Sequence, residues 1–127
     1  MSTPMPLGNF SVSLKVASLE ASRAFYEALG FTAIAGEAAQ HWLILRNGAA
    51  TIGLFEGHIP ANTLTFNPGW SADGTRLPEF MDVRELQRRV KAAGITPASE
   101  ADETSSGPAS MLLLDPDGNP ILFDQHV

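Results

Sequence analysis

Side chains able to handle protons or metals are scarce in this chain. It carries three histidines, His41, His58 and His126, and no cysteine. Without cysteine there is no disulfide framework, no thiolate-held metal and no cysteine nucleophile. Glu56 and Asp124 each lie two positions before a histidine. His41, Glu56 and His126 are thus candidates for a non-standard metal or acid–base site, although their spacing follows no recognised ligand pattern. Each histidine on its own reads more simply as a surface or hydrogen-bonded residue. Asp115 and Asp117 are close carboxylates, but the run Asp115-Pro-Asp-Gly-Asn-Pro120 makes them turn residues. No G-x-S-x-G elbow and no G-x-x-x-x-G-K loop is present, so neither a serine-hydrolase elbow nor a phosphate loop is expected. Catalytic residues stay unassigned at this stage.

A second kind of chemistry is recognition by aromatic faces. Phe66-Asn-Pro-Gly-Trp70 joins a strand-like segment to a long loop. Asn67 offers both donor and acceptors, and Trp70 a large face with an N–H. Together with Trp42, Phe55 and Phe66 they could wall a pocket for a flat or apolar ligand, since such pockets are mostly apolar with a few placed polar groups. Arg76, in the same loop, could pair with an anionic ligand. The plainer alternative puts Trp42, Phe55 and Phe66 in the core, makes Asn67 a turn cap and leaves Arg76 in solvent. Trp42, Phe55, Phe66, Asn67, Trp70 and Arg76 are the expected ligand-binding residues.

Composition narrows the partners. A length of 127 residues suits a single domain. The formal charge of −6, from eight basic and fourteen acidic side chains, argues against nucleic acid, whose phosphates would be repelled. An acidic excess of this size is also ordinary solubility charge. No apolar run approaches the roughly 18–20 residues of a membrane helix. The opening residues, Met1-Ser-Thr-Pro-Met-Pro, have neither a basic nor an apolar signal region, so a cytoplasmic protein without a leader is expected.

The elements that would position these residues come in two copies. Ser18 is an N-cap before Leu19-Glu-Ala-Ser-Arg-Ala-Phe-Tyr-Glu-Ala-Leu, with Leu19, Ser22, Tyr26 and Leu29 on one helical face, Phe25 beside them, and Gly30 at the left-handed stop. Asp82 is an N-cap with Glu85 as its capping-box partner, followed by a stripe of Val83, Leu86, Val90 and Ala93 and a stop at Gly94. Gly30 lies as far from Gly94 as Ser18 does from Asp82, about half the chain. This is a duplicated supersecondary unit. Around the helices the alternation predicts strands at 10–16, 31–37, 41–46, 51–55, 62–67, 95–100, 110–114 and 121–124, with a hairpin turn at Asn47-Gly48. Module one then covers about 8–57 and module two about 62–127, within one domain of 1–127. Residues 68–78 and 102–108 have no counterpart in the repeat. The first reads as a lid or binding loop, the second as a mobile connection.

Leu14-Lys-Val-Ala-Ser-Leu-Glu-Ala-Ser-Arg-Ala-Phe-Tyr-Glu-Ala-Leu-Gly-Phe31 resembles the first strand and helix of the vicinal oxygen chelate (VOC) superfamily. This group includes glyoxalase I, extradiol dioxygenases and bleomycin-resistance proteins. Leu114-Asp-Pro-Asp-Gly-Asn-Pro-Ile-Leu-Phe123 resembles its closing turn and last strand. The resemblance implies an α+β fold of two βαβββ modules forming a half-barrel pair around a cavity, and pairing as a homodimer. Metal-using members hold the ion with His or Glu on inward strand positions. Those positions fall here on Ser11, on Ile52 or Gly53, near Thr63, and on Leu122, which is not a competent ligand set. No metal and no cofactor are therefore expected. The function expected is that of a glyoxalase/bleomycin resistance-like, metal-free protein that binds a small organic ligand, for which an acidic surface suits a cationic one. The alternative is a VOC-type enzyme (lyase, isomerase or dioxygenase-like) with a non-standard site using His41, Glu56 or His126.

Overall fold

The computed structural model describes residues 5–127. The reading of the first residues as lacking a leader falls largely on 1–4, outside the described residues. The chain is mixed α+β, and its described residues form two compact units. Residues Ser11–Leu64 make the first. Thr65–Val127, with the segment up to Phe10, make the second.

In the first unit, β1 (Asn9–Lys15) leads into helix α1 (Leu19–Ala28), then β2 (Thr32–Glu37), a short 3-10 turn (Ala38–Gln40), β3 (Trp42–Asn47) and β4 (Ala50–Phe55). Ser18 caps α1 as its composition demands, its hydroxyl accepting from the Ala21 amide at 3.2 Å. Gly30 sits at φ 100°, the left-handed stop that only glycine enters freely. β2, β3 and β4 form an antiparallel meander, and β1 adds parallel to β4 with Ser13 opposite Gly53. The β3–β4 hairpin turns through Gly48 at φ 58°, the first central position of a two-residue loop. Alternation sorts the faces. Leu43, Leu45 and Leu54 are buried with Leu19, and Leu14, Val16, Tyr26, Phe31 and Ile52 pack around them. Trp42, Ile44, Arg46, Thr51, Gly53, Phe55 and Ser11 therefore lie on the opposite face.

In the second unit, β7 (Pro120–Gln125) lies beside β5 (Thr63–Asn67) and pairs antiparallel with β6 (Ala109–Leu114), and helix α2 (Val83–Ala92) covers this sheet. Val83, Leu86 and Val90 are buried against Met111, Leu113 and Phe123. Asp82 caps α2, accepting from the Arg84 amide at 2.9 Å. Glu85 does not complete a capping box; it faces Arg88 and Arg89 at 3.2 and 3.6 Å, along the exposed side of the helix. The Asp115 turn is organised by its own carboxylate, which accepts from the amides of Asp117 and Asn119 and from the Asn119 side chain, at 2.8–2.9 Å. These bonds, with Asn119 foremost, hold the Asp115 carboxyl below its ordinary range.

Two expectations are corrected here. The strand expected at 95–100 is reduced to one isolated bridge, Ser99 with Leu112. Pro97 has no N–H to give a ladder, so the segment touches β6 only beyond it. The segment 102–108 is no free connection. Arg84 donates to the Asp102 and Gly107 carbonyls and to the Ser105 hydroxyl, at 3.0–3.2 Å. Gln87 reaches the Ala101 carbonyl and the Glu103 carboxylate at 3.1 and 2.6 Å, while its carbonyl accepts from the Ala101 amide at 2.7 Å. Both side chains are buried, Arg84 at 5% exposure and Gln87 at 0%.

Candidate functional site

The six expected ligand-binding residues divide between the units. Trp42 and Phe55 belong to the first. They are cross-strand partners on β3 and β4, on the face turned away from α1, and their rings stack at 6.1 Å with an interplanar angle of 2°. Both are half-buried. His58 meets the edge of Phe55 at 6.4 Å and rests its Nε2 on the Gln40 carbonyl at 2.6 Å. At the far end of the same face Arg46 donates to the Thr51 hydroxyl at 3.2 Å. The face thus runs from an aromatic end to a polar end.

Gly53 explains how the aromatic end is built. A Cβ placed there would lie 2.6 Å from Phe55 Cε2 and 3.2 Å from the tip of Ile44. The Phe55 ring leans over the bare glycine backbone, and any side chain at 53 would displace it.

Phe66, Asn67, Trp70 and Arg76 belong to the second unit. Phe66 is stacked on core Phe123 at 5.5 Å and tilted against Phe10 at 5.0 Å. Asn67, with its amide nitrogen turned toward them, donates to the carbonyls of Pro68 and Asp124, each at 3.1 Å. Its backbone is approached closely by Gly8, where a Cβ would sit 2.2 Å from the Asn67 carbonyl oxygen. The long loop is a small hairpin: Trp70 bridges Arg76, the Ser71 amide donates to Thr75 and the Leu77 amide to Gly69, both at 2.8 Å. Arg76 is exposed. The Trp70 indole N–H is buried and finds no acceptor among the described residues. A buried donor left unpaired costs about 1–3 kcal/mol, so an acceptor brought by a ligand or water would be favoured there.

The positions that the resemblance gives to metal ligands carry other side chains here. Register places Gly53, not Ile52, on the face of Ser11 and Ser13, since Ile52 packs into the core with Leu54. Thr63 is buried and gives its hydroxyl to the Ala61 carbonyl at 3.0 Å. Leu122 alternates with core Phe123 on β7 and has no donor atom. Serine, glycine, threonine and leucine do not fit an ion that needs imidazole or carboxylate ligands. Among the described residues no three His, Asp or Glu side chains converge elsewhere.

The residues raised for a non-standard site form two separate pairs. In the first unit His41 Nδ1 lies 3.5 Å from Glu56 Oε1. In the second, His126 Nε2 lies 3.0 Å from Asp124 Oδ2, and that bond raises the imidazole's affinity for its proton, partly opposed by burial. Sequence reasoning missed Gly53 as the seat of the Phe55 ring, and missed Ser18, Glu20 and Arg23, which line a cleft beside His41 and Glu56. No linear signal could have found the latter, because the Leu19 amide and the Glu56 carboxylate that meet there are 37 positions apart.

The pattern of the glyoxalase/bleomycin resistance protein/dioxygenase superfamily matches residues 10–123. The chain belongs to this superfamily. No curated protein sequence matches it. Among solved structures it is similar to a superfamily member from Vibrio splendidus 12B01, with TM-score 0.63 and 17% identity over 92% of this chain and 97% of that one. It is also similar to a protein described as NAD-dependent benzaldehyde dehydrogenase from Legionella pneumophila, with TM-score 0.68 and 15% identity over 93% and 99%. An extradiol ring-cleaving dioxygenase from B. fuscum matches with TM-score 0.54 and 22% identity over 94% of this chain and 32% of its own length. At these identities the likeness shows the VOC fold alone. Among the described residues no helix is long and apolar enough to cross a membrane.

Proposed function

We propose that this chain is a glyoxalase/bleomycin resistance-like protein that binds a small organic molecule without a metal ion. The observation that carries this reading is the Phe55 ring over Gly53, at a position where the resemblance to metal-using members implies Glu. An aromatic ring there replaces a charged ligand by an apolar wall. The stacked Trp42–Phe55 pair supplies a face for a flat ligand, and cation–π attraction with a net charge of −6 favours a cationic one. In the second unit Phe66, Asn67, Trp70 and Arg76 are proposed as ligand-binding residues in their own right, with the Trp70 N–H, which has no acceptor among the described residues, as the polar contact a ligand acceptor would complete.

Nucleic acid and membrane are not partners in this reading, and the protein works in the cytoplasm as a homodimer. Exposed apolar side chains at Phe25 of α1, at Leu29 just beyond it and at Ile34 of β2 support self-association. Tryptophan fluorescence tests the central point, because Trp42 and Trp70 are the two indoles. Titration with a flat aromatic cation such as ethidium should quench emission saturably, and Trp42→Ala should weaken binding at least about tenfold. Equal binding by wild type and Trp42→Ala would remove the aromatic face from the account.

A further inference from the structure

We propose that His41 and Glu56 form a proton-transfer pair serving a second site, a cleft on the α1 side of the first unit, and that this cleft takes a small molecule bearing an acidic C–H or O–H. The cleft has a volume of about 440 Å³ and is lined by Ser18, Leu19, Glu20, Arg23, Ala38, His41, Leu43 and Glu56. It is not the aromatic face: His41 and Glu56 flank Trp42 and Phe55 in sequence, while the floor residues Leu19 and Leu43 belong to the core cluster on the other side of the sheet.

Three observations carry the proposal. First, Glu56 is anchored. Its Oε2 accepts from the Leu19 amide, at the start of α1, at 2.7 Å, and its Oε1 faces His41 Nδ1 at 3.5 Å. In the proposed pair this carboxylate orients the ring with Nδ1–H toward it and leaves Nε2 as the base. Second, the His41 side chain lines the cleft and is 62% exposed. Third, His41 is the one non-glycine at positive φ among the described residues, at 69°. Glycine would take this corner with less strain, yet a histidine is held there, its carbonyl accepting from the Glu56 amide at 2.9 Å. The charged groups around Nε2 are Glu56 behind it, with Glu20 and Arg23 of α1 on the same cleft; Arg23 is paired with Glu27 at 3.3 Å.

Ring opening of nitrobenzisoxazole tests the pair directly. His41 Nε2 takes the ring C–H proton, that electron pair closes the nitrile, the N–O bond breaks, and the phenolate oxygen leaves with the charge. The proton then passes from Nε2 to water. Wild type should accelerate the opening. His41→Gly, whose backbone suits φ 69°, should keep its melting temperature and lose at least about tenfold in rate. If His41→Gly melts early, His41→Asn, also tolerant of the left-handed region, is read in its place and should show the same loss. His126→Gln should leave the rate unchanged. In ¹⁵N spectra His41 should be the Nδ1–H tautomer in wild type and a mixture in Glu56→Gln, whose amide oxygen still serves Leu19. Equal rates for wild type and the folded His41 variants, an equal loss in His126→Gln, or an unchanged tautomer in Glu56→Gln would each overturn the proposal.

Discussion

Helices α1 and α2 descend from one duplicated pattern, yet they are buried to different extents. Of the α1 residues only Leu19 is buried, and Phe25 and the C-cap Leu29 are 62% and 58% exposed. In α2, Val83, Leu86 and Val90 are buried with the polar Arg84 and Gln87. The difference comes from what lies beside each helix. In the second unit residues 101–107 are tied onto α2 by Arg84 and Gln87, which satisfy the backbone groups of that segment. The first unit has no counterpart of that segment in the repeat, and beside the N-terminus of α1 it has a cleft lined by Glu20, Arg23, His41 and Glu56. One copy has become a sealed core with a buried polar lock; the other keeps an accessible end with titratable side chains.

The largest effects should come from opening the lock. Arg84→Ala should lower stability by about 1–3 kcal/mol, since it removes the buried guanidinium that ties Asp82 and the carbonyls of Asp102 and Gly107 together. Leu86→Ala, in the same helix, should cost about 2–5 kcal/mol, whereas Arg23→Gln or Glu27→Gln, in the exposed ion pair of α1, should change stability by less than about 0.5 kcal/mol. Urea unfolding measures all four. Equal costs in the two helices would break the comparison. Gly53→Ala should cost about 1–3 kcal/mol by pushing Phe55 aside, and should weaken binding of a flat ligand in the same titration. Trp70→Phe should leave the free protein unharmed or up to about 1 kcal/mol more stable, because it removes an unpaired buried donor, while weakening the complex.

The smallest effects are electrostatic. Burial pushes the Asp82 carboxyl up, but bonds from Gln125 and Arg84 outweigh it and hold the group below its ordinary range. The stability this gives is present above the unfolded value and is lost as pH falls through the folded one. His126 has the opposite sign. Its proton is held more tightly by Asp124, so that contribution is present below the unfolded value and fades as pH rises through the raised one. Thermal melts across pH in Asp82→Asn and His126→Gln should each lose one of these slopes.

Much of the scaffold was legible in the sequence. Ser18 and Asp82 as caps, Gly30 and Gly94 as stops and their shared spacing give the helices and the duplication, because capping and positive φ are local demands. The superfamily followed from the same residues. The strand expected at 95–100 failed where Pro97 withdrew a donor. Arg84 and Gln87 lie off the apolar stripe of Val83, Leu86, Val90 and Ala93, and only the later loop, folded back on them, makes them interior. The site was less legible. Trp42 and Phe55 could be named, but their stacking depends on β3–β4 register and on the space at Gly53. The meeting of His41 with Glu56 depends on a left-handed corner that no glycine announces.

The central claim is recognition of an organic ligand by a site without metal donors. Its most direct measurement is metal content of the purified protein together with its melting temperature under saturating divalent ions. The account predicts no stoichiometric ion and an unchanged melting temperature, with stabilisation by a flat organic cation that disappears in Trp42→Ala. An ion bound at one per chain that raises the melting temperature by mass action would contradict it.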